Sequence, residues 1–431
     1  MRASARTGFA SKGIKVAAFS AGVLLLASCT STPGGGATTS AAPTASASGS
    51  AAAGPEADGT LRVNTILPQT GTLAFLGPPE EAGVQLAVND ANELDLDFEV
   101  EVDFRDSGDT TTDIATQSAT ASIEAGADVI IGAASSGVSK TFIDAVTGAG
   151  IVQISPANTS PDFTNYDDGG FYWRTAPSDV LQGRVLGNLM VGDGNENIGM
   201  LVLNDPYGTG LADNATQAIE AAGGTVSARV AFNTGETQFA AQVDELLASD
   251  PDAVAVIAFA ETSSIIPELV NTQDFPGDKV YLVDGNLSNT YDFPEGTLEG
   301  AKGTLPGNFA SGDFQDRLKG VDPDLDDFSY AAESYDAVVL SILAAVQGGD
   351  DAPGTIQANL EAVSKGGTKC ESLEECVGLL ADGTDIDYEG QSGPITFDAN
   401  GDPTQAYIGI YQYGANNQYT ALNTEFGDLA G

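Results

Sequence analysis

Residues 98–132, FEVEVDFRDSGDTTTDIATQSATASIEAGADVIIG, contain the pattern that decides the fold. Apolar and acidic residues alternate over Phe98–Phe104, an amphipathic stretch follows over Thr111–Ala125, and a short apolar run ends the segment at Asp128–Gly132. This order predicts a βαβ unit, in which a helix joins two parallel strands. Because Val129–Ile131 is apolar at every position, we expect helices to cover both faces of that strand.

The same pattern recurs from about residue 60 onward. Four predicted strands precede the loop at 162–170 and four follow it, which favours two similar lobes over one large sheet. A late helix, Asp327–Gln347, and a late strand, Tyr407–Tyr413, can return to either lobe and so make a hinge. The sequence therefore predicts an α/β fold of two doubly wound parallel-sheet lobes joined by a multi-crossing hinge. The other predicted strands are Leu61–Leu67, Ile151–Ile154, Met200–Leu203, Val226–Phe232, Ala253–Ala258 and Val280–Val283, and the other predicted helices are Glu80–Asn92, Gly210–Ala222, Thr237–Ala248 and Ser263–Asn271.

The N-terminal residues 1–28 have the order of a secretory signal peptide. Basic residues without any acidic residue precede the apolar run Val16–Ala27. This run has 12 residues, whereas a membrane-spanning helix needs about 20, so we expect it to be removed rather than to act as an anchor. The sequence Leu26-Ala27-Ser28-Cys29 resembles the lipobox of bacterial lipoproteins. It predicts lipid on Cys29, and hence an exported protein anchored at the outer face of the cell membrane.

Residues 29–58 consist almost entirely of Ser, Thr, Ala, Gly and Pro. Such a segment has no large apolar side chain to bury, and we expect a disordered tether with an r.m.s. span of roughly 30 Å. Beyond it, we assign residues 59–177 and 304–388 to lobe 1, and residues 178–303 and 389–431 to lobe 2.

The charge and the lack of histidine exclude several classes of function. The chain has 61 acidic and 16 basic residues and a formal net charge of −45, which repels phosphate backbones and makes nucleic acid a poor partner. There is no histidine, so Ser-His-Asp catalysis is impossible and the commonest zinc ligand is missing. We expect neither a metal nor another cofactor.

Two cysteines other than Cys29 are present, Cys370 and Cys376. Outside the cytoplasm, an even pair of this kind predicts a disulfide. A metal site on two thiolates would need further ligands that the sequence does not supply.

Seven motifs, in order along residues 59–415, resemble those of the periplasmic leucine/isoleucine/valine-binding proteins, which are the solute receptors of branched-chain amino acid ABC importers. The motifs are Leu67–Gly71 (LPQTG), Ile131–Gly137 (IGAASSG), Ile154–Pro161 (ISPANTSP), Trp173–Thr175 (WRT), Asn204–Gly210 (NDPYGTG), Tyr330–Asp336 (YAAESYD) and Ser392–Asp398 (SGPITFD).

The resemblance implies which groups receive the α-carboxylate of an amino acid. Ser135, Ser136 and Gly137 open a predicted helix, while Asn158 and Thr159 lie in a neighbouring loop. Hydroxyl and backbone N–H groups suit a buried carboxylate, although hydroxyl groups at such positions also cap helices.

The resemblance also implies an acidic partner for the ligand ammonium group. Asp284, directly after a predicted strand, is at the matching position, Asp179 lies at a second matching loop, and Glu261 is an alternative. Burying an ammonium group without a carboxylate would cost several kcal/mol.

Aromatic walls complete pockets of this kind. By resemblance, Tyr207 and Phe259 form the wall of the second lobe, and Phe75 or Leu76 that of the first. This chain departs from the family at Gly137, where a hydroxyl is common, and at Leu76, where an aromatic residue is common.

The resemblance implies a monomeric binding protein rather than an enzyme. Its expected function is capture of an amino acid or a related small zwitterion between the two lobes, followed by delivery to an ABC permease and its ATPase. A sensing receptor of the same fold for amides, urea or another small solute is the alternative. An enzyme that uses a pair of carboxylates is a third possibility, but no pair stands out from the acidic background.

Overall fold

The computed structural model describes residues 54–429. The predicted signal peptide, Cys29 and most of the predicted tether lie outside these residues. Within the part described, no helix combines the length and the apolar character needed to cross a membrane.

A sheet of five parallel strands forms the centre of the first lobe, in the order β2-β1-β3-β4-β5. The third strand is buried at every residue, as its apolar run predicts. The strands are β1 (Thr60–Ile66), β2 (Glu99–Asp103), β3 (Val129–Gly132), β4 (Val152–Ser155) and β5 (Tyr172–Arg174), and the helices are α1 (Gly77–Asn92), α2 (Ile114–Glu124), α3 (Ser136–Ser139) and α4 (Ile143–Gly148).

The second lobe begins after the chain leaves β5. Five more strands follow and again alternate with helices, which agrees with the repeated strand and helix pattern in the sequence. The elements are α5 (Asp179–Gly192), β6 (Asn197–Leu203), α6 (Pro206–Ala221), β7 (Thr225–Phe232), α7 (Ala240–Leu247), β8 (Ala253–Ile257), α8 (Thr262–Ile266), β9 (Val280–Leu282) and β10 (Lys302–Pro306).

The chain then returns to the first lobe. The predicted late helix is present as α10, and it packs closely on α1 because Gly83 has no side chain: a Cβ there would lie 2.2 Å from the carbonyl oxygen of Ala331. The returning elements are α9 (Gly312–Val321), α10 (Ala331–Gly348), α11 (Pro353–Val363), β11 (Thr368–Cys370), α12 (Leu373–Ala381), β12 (Ile386–Gly390) and β13 (Gly393–Pro394).

Two final strands, β14 (Gln405–Tyr413) and β15 (Tyr419–Asp428), join the second sheet. Its order is β15-β14-β10-β9-β8-β6-β7, and the pairs β10–β14 and β14–β15 are antiparallel, so this sheet is mixed rather than wholly parallel. Within residues 54–429 the chain thus passes between the lobes three times, at residues 175–178, 307–311 and 395–404, as a multi-crossing hinge requires. The exact lobe limits stay a prediction. The second sheet contains the whole of β10, as far as Pro306.

The cysteines Cys370 and Cys376 lie at the end of β11 and within α12, with Cα atoms 5.5 Å apart and sulfur atoms within bonding distance. Both side chains are buried. This geometry suits the predicted disulfide.

We expect Cys376→Ser to lower the free energy of unfolding by about 2 kcal/mol, because the closed loop is short and limits the unfolded chain only locally. Urea unfolding of the wild type and the variant, each with and without reductant, measures this difference. A wild type that is equally stable with and without reductant would argue against a disulfide.

Candidate functional site

The candidate site lies between the two lobes, beyond the carboxyl ends of the strands, where ligands of open α/β sheets bind. Loops from the two lobes are in direct contact there. The amide of Ala260 donates to the carbonyl of Thr72 (3.1 Å), and the Ser160 hydroxyl donates to the carbonyl of Pro206 (3.0 Å). The lobes are therefore closed on each other.

A cavity of about 10 Å³ lies at this interface. This volume is about that of a single water-sized sphere, so an amino acid can enter only if the lobes move apart. The lining residues are Leu73, Leu76, Ala134, Ser135, Ser136, Ala157, Tyr207, Phe259, Asp284, Gly285 and Tyr330.

Asp284 is the carboxylate in the cavity wall, and it is buried. Its Oδ1 accepts hydrogen bonds from the Tyr207 hydroxyl (2.6 Å) and from Nε2 of Gln182 (2.9 Å). Its Oδ2 accepts one from the hydroxyl of Tyr330 (2.7 Å), a residue with a φ of +60°. All three donors are neutral, so the negative charge of Asp284 has no cationic partner here, which is the situation an ammonium ligand would correct.

Asp179 lies behind Asp284 and is fully buried. Its Oδ2 accepts a hydrogen bond from Thr159 Oγ1 (3.0 Å), but its Oδ1 has no hydrogen-bond partner. Burial, and then the charge of Asp284, raise the pKa of Asp179 well above its usual range. Burial raises the pKa of Asp284 too, but its donors oppose this rise. Because three groups donate hydrogen bonds to Asp284 and only one donates to Asp179, we place the proton on Asp179 and the charge on Asp284.

Ser135 and Ser136, from the first lobe, line the same cavity as Asp284, from the second. Ser135 Oγ accepts a hydrogen bond from the amide of Val138 (3.4 Å), and Ser136 Oγ accepts one from the amide of Ser160 (3.3 Å). Neither hydroxyl donates to another described residue, so both protons are available to a ligand carboxylate. The helix that they begin, α3, is one turn long, and the hydroxyls rather than a helix dipole therefore give this wall its polarity.

Arg174, at the end of β5, positions the loop behind these serines. It is fully buried and forms a two-pronged ion pair with Asp402, with Nε–Oδ1 and Nη2–Oδ2 distances of 2.6 and 2.7 Å. Its Nη1 donates to the carbonyls of Asn158 (3.2 Å) and Ser160 (2.8 Å). Arg174 thus connects the third crossing between the lobes, which contains Asp402, with the loop that contains Asn158 and Ser160.

A family model for periplasmic binding proteins matches residues 60–371. The chain belongs to the periplasmic binding protein family. Among its relatives, the chemotactic signal transduction system substrate-binding protein BasB of Halobacterium salinarum is 27% identical, with 65% of this chain and 68% of the relative aligned. The Leu/Ile/Val-binding protein BraC3 of Rhizobium johnstonii is 25% identical over 85% and 95% of the two chains.

The fold of this binding protein also resembles solved structures. The crystal structure of the leucine-binding protein LivK from Thermotoga maritima superposes with a TM-score of 0.70 at 20% identity, covering 84% of this chain and 98% of that one. The predicted fold, two α/β lobes of the periplasmic binding protein type I, is thereby confirmed.

Five of the predicted site residues of this binding protein meet around the cavity: Ser135, Ser136, Tyr207, Phe259 and Asp284. The rings of Tyr207 and Phe259 are stacked, with centroids 5.2 Å apart. The structure thus places two hydroxyls, a carboxylate and a pair of aromatic rings around one small volume.

Five other predicted residues lie outside the cavity wall. Phe75 lines a neighbouring cleft of about 650 Å³, while Leu76 lines the cavity itself. A Cβ at Gly137 would lie 3.3 Å from Asp205 Oδ2 of the other lobe, so Gly137 lies at the contact between the lobes. The remaining three, Asn158, Thr159 and Asp179, form hydrogen bonds behind the cavity wall.

Glu261, the alternative partner for an ammonium group, does not line the cavity. Its two oxygens accept hydrogen bonds from the amides of Gly235 (2.9 Å) and Phe259 (3.2 Å). Glu261 therefore joins the loop after β8 to the loop between β7 and α7.

Two residues that contact Asp284, Tyr330 and Gln182, were not among the predicted site residues. Tyr330 is the first residue of the motif Tyr330–Asp336, which resembles the family, so its position in the sequence could have indicated a role in the site. Gln182 lies one turn into α5 after Asp179, at a spacing that puts both side chains on one face of the helix, and it too could have been proposed.

Proposed function

We propose that this binding protein captures a branched-chain amino acid, or a related small zwitterion, between its two lobes. The buried Asp284 carries the proposal, because it lines the cavity between the lobes and accepts side-chain hydrogen bonds from neutral donors alone. An ammonium group would complete its pairing, and the free protons of Ser135 and Ser136 would meet the ligand carboxylate. The leucine side chains of the wall suit an aliphatic ligand.

The leading role is delivery of the amino acid to an ABC permease and its ATPase, by a monomer that a lipid on Cys29 holds at the membrane. The family and the likeness to a leucine-binding protein and a Leu/Ile/Val-binding protein support this role. The lobes would open to admit the ligand and close to bury it, as a hinge with three crossing segments permits.

Sensing is a second candidate role, because one relative is a substrate-binding protein of a chemotactic signal transduction system. Deletion of the gene distinguishes the two roles. Loss of labelled amino acid uptake supports import, whereas loss of the chemotactic response with normal uptake supports sensing.

We expect Asp284→Asn to weaken the binding of leucine, isoleucine or valine by more than about tenfold, because a buried ammonium group would lose its charged partner. Isothermal titration calorimetry measures the change in dissociation constant. Asp179→Asn should have a smaller effect, since we assign a proton to Asp179, and Glu220→Gln, on an exposed face of α6, should have none.

Two results would contradict the proposal. One is a wild type that releases no heat with any of the three amino acids. The other is an Asp284→Asn variant that binds as tightly as the wild type.

A further inference from the structure

A second cavity, of about 280 Å³, lies where the second crossing between the lobes meets the start of α10. We call it the hinge cavity. Both lobes contribute to it: residues 306–310 and 326–333 come from the crossing and from the segment that leads into α10, and residues 411 and 419–421 come from β14 and β15. It is distinct from the amino acid cavity, although Tyr330 lines both.

Three aromatic rings form adjoining walls of the hinge cavity. The ring of Tyr411 is 5.1 Å from that of Phe309, at an interplanar angle of 70°. It is also 5.1 Å from the ring of Tyr419, at 78°. These edge-to-face contacts hold the three rings together at the cavity wall, and aromatic rings attract cations, above all organic ammonium groups.

Buried acidic groups line the same space. Asp327 is 6% exposed, and its Oδ1 accepts a hydrogen bond from the amide of Ser329 (2.8 Å). Neither its Oδ2 nor Oγ of the buried Ser329 has a partner with ordinary hydrogen-bond geometry, although the hydroxyls of Ser329 and Tyr419 lie close enough to Asp327 to influence its charge. Burial raises the pKa of Asp327 above its usual range. Glu333 is also buried and lines the cavity, and burial raises its pKa to about 8. These oxygens are costly to leave unpaired in a protein interior.

No lysine or arginine is among the residues that line the hinge cavity in the described structure. Lys319 lies over the ring of Phe328, 5.3 Å from its centroid, but it does not line the cavity. The acids of the cavity thus have no cationic partner of their own, in a chain whose net charge of −45 already concentrates cations at its surface.

We propose that the hinge cavity binds a small organic cation, an ammonium compound whose charged head lies against Tyr411 and Tyr419 and pairs with Asp327. A bare metal ion fits less well. Within residues 54–429, no group of three or more acidic or cysteine side chains is arranged to hold a metal, and the cavity is of the size that organic ligands occupy.

Calorimetry with the purified protein tests this proposal, with tetramethylammonium, choline and putrescine as probes and sodium chloride to keep the ionic strength constant. We expect saturable binding of at least one probe. Asp327→Asn and Tyr411→Leu should each weaken it by more than tenfold. Tyr411→Phe keeps the aromatic face and should retain binding, and Asp316→Asn, an exposed acid on α9, should leave it unchanged.

Asp284→Asn separates this site from the amino acid site. The hinge cavity predicts that cation binding survives this substitution. Loss of cation binding in Asp284→Asn would overturn the proposal, as would equal binding by the Asp327→Asn variant. The absence of saturable binding for all three probes, or saturable binding of Ca²⁺ in their place, would also overturn it.

Discussion

Arg174→Met is expected to lower the free energy of unfolding by about 3–5 kcal/mol, the cost of removing one partner from a buried ion pair. The guanidinium group is fully buried, and it donates two hydrogen bonds to Asp402 and two more to backbone carbonyls. Without it, the mostly buried Asp402 keeps only the hydroxyl of Thr164 (2.6 Å) among its side-chain partners. The loss should be large because Asp402 is then an almost isolated buried charge.

Urea unfolding at neutral pH measures this effect. Arg229→Met is the matched control, because Arg229 pairs with Asp213 at the surface and such pairs contribute at most about 1 kcal/mol. If the two variants lost similar amounts of stability, the buried ion pair between Arg174 and Asp402 would not stabilise the protein more than a surface pair does.

Glu333→Gln is expected to flatten the pH dependence of stability. Burial raises the pKa of Glu333 from 4.5 to about 8, so between these values the folded state keeps a proton that the unfolded state has released. The free energy of unfolding therefore falls as the pH rises through this window and levels off above it. We expect this fall, from pH 5 to pH 8, to be up to about 4 kcal/mol smaller in the variant than in the wild type.

Urea unfolding at several pH values between 5 and 8 measures this difference. Other buried acids, such as Asp128 with a pKa raised to about 7 by burial, contribute equally to both proteins. Glu220→Gln, at an exposed position, should follow the wild type. Parallel curves for Glu333→Gln and the wild type would show that Glu333 does not carry this effect.

Much of the fold was predictable because it depends on local patterns. Apolar strands and amphipathic helices alternate with a period that each segment shows by itself, as in Phe98–Gly132. The strands that escaped prediction lack this pattern. Lys302–Pro306 contains glycine and proline, and its strand conformation depends on pairing with β9 and β14. Tyr419–Asp428 is an exposed edge strand with mostly polar residues, and β14 alone defines it.

The site was predictable where a loop that follows a strand resembles a motif of the family. Asp284 and Tyr207 are of this kind. The role of Tyr330 depends on a hydrogen bond to Asp284, 46 positions away. The role of Asn158 depends on its side-chain amide, which bonds to two backbone carbonyls and to the hydroxyl of Tyr172. Such roles are set by neighbours in space, which a single sequence does not contain.

The sequence by itself thus determined the two-lobed α/β class, the acidic surface and the position of the acidic residue at the end of a strand, because periodicity and composition are local properties. Only the tertiary structure decided that Asp284 is surrounded by neutral donors, that Asp179 lies behind it, and that acids and aromatic rings meet in the hinge cavity. Those facts depend on burial and on contacts between distant segments. Burial matters because a charged carboxylate removed from water costs free energy unless a cation or hydrogen-bond donors pair with it.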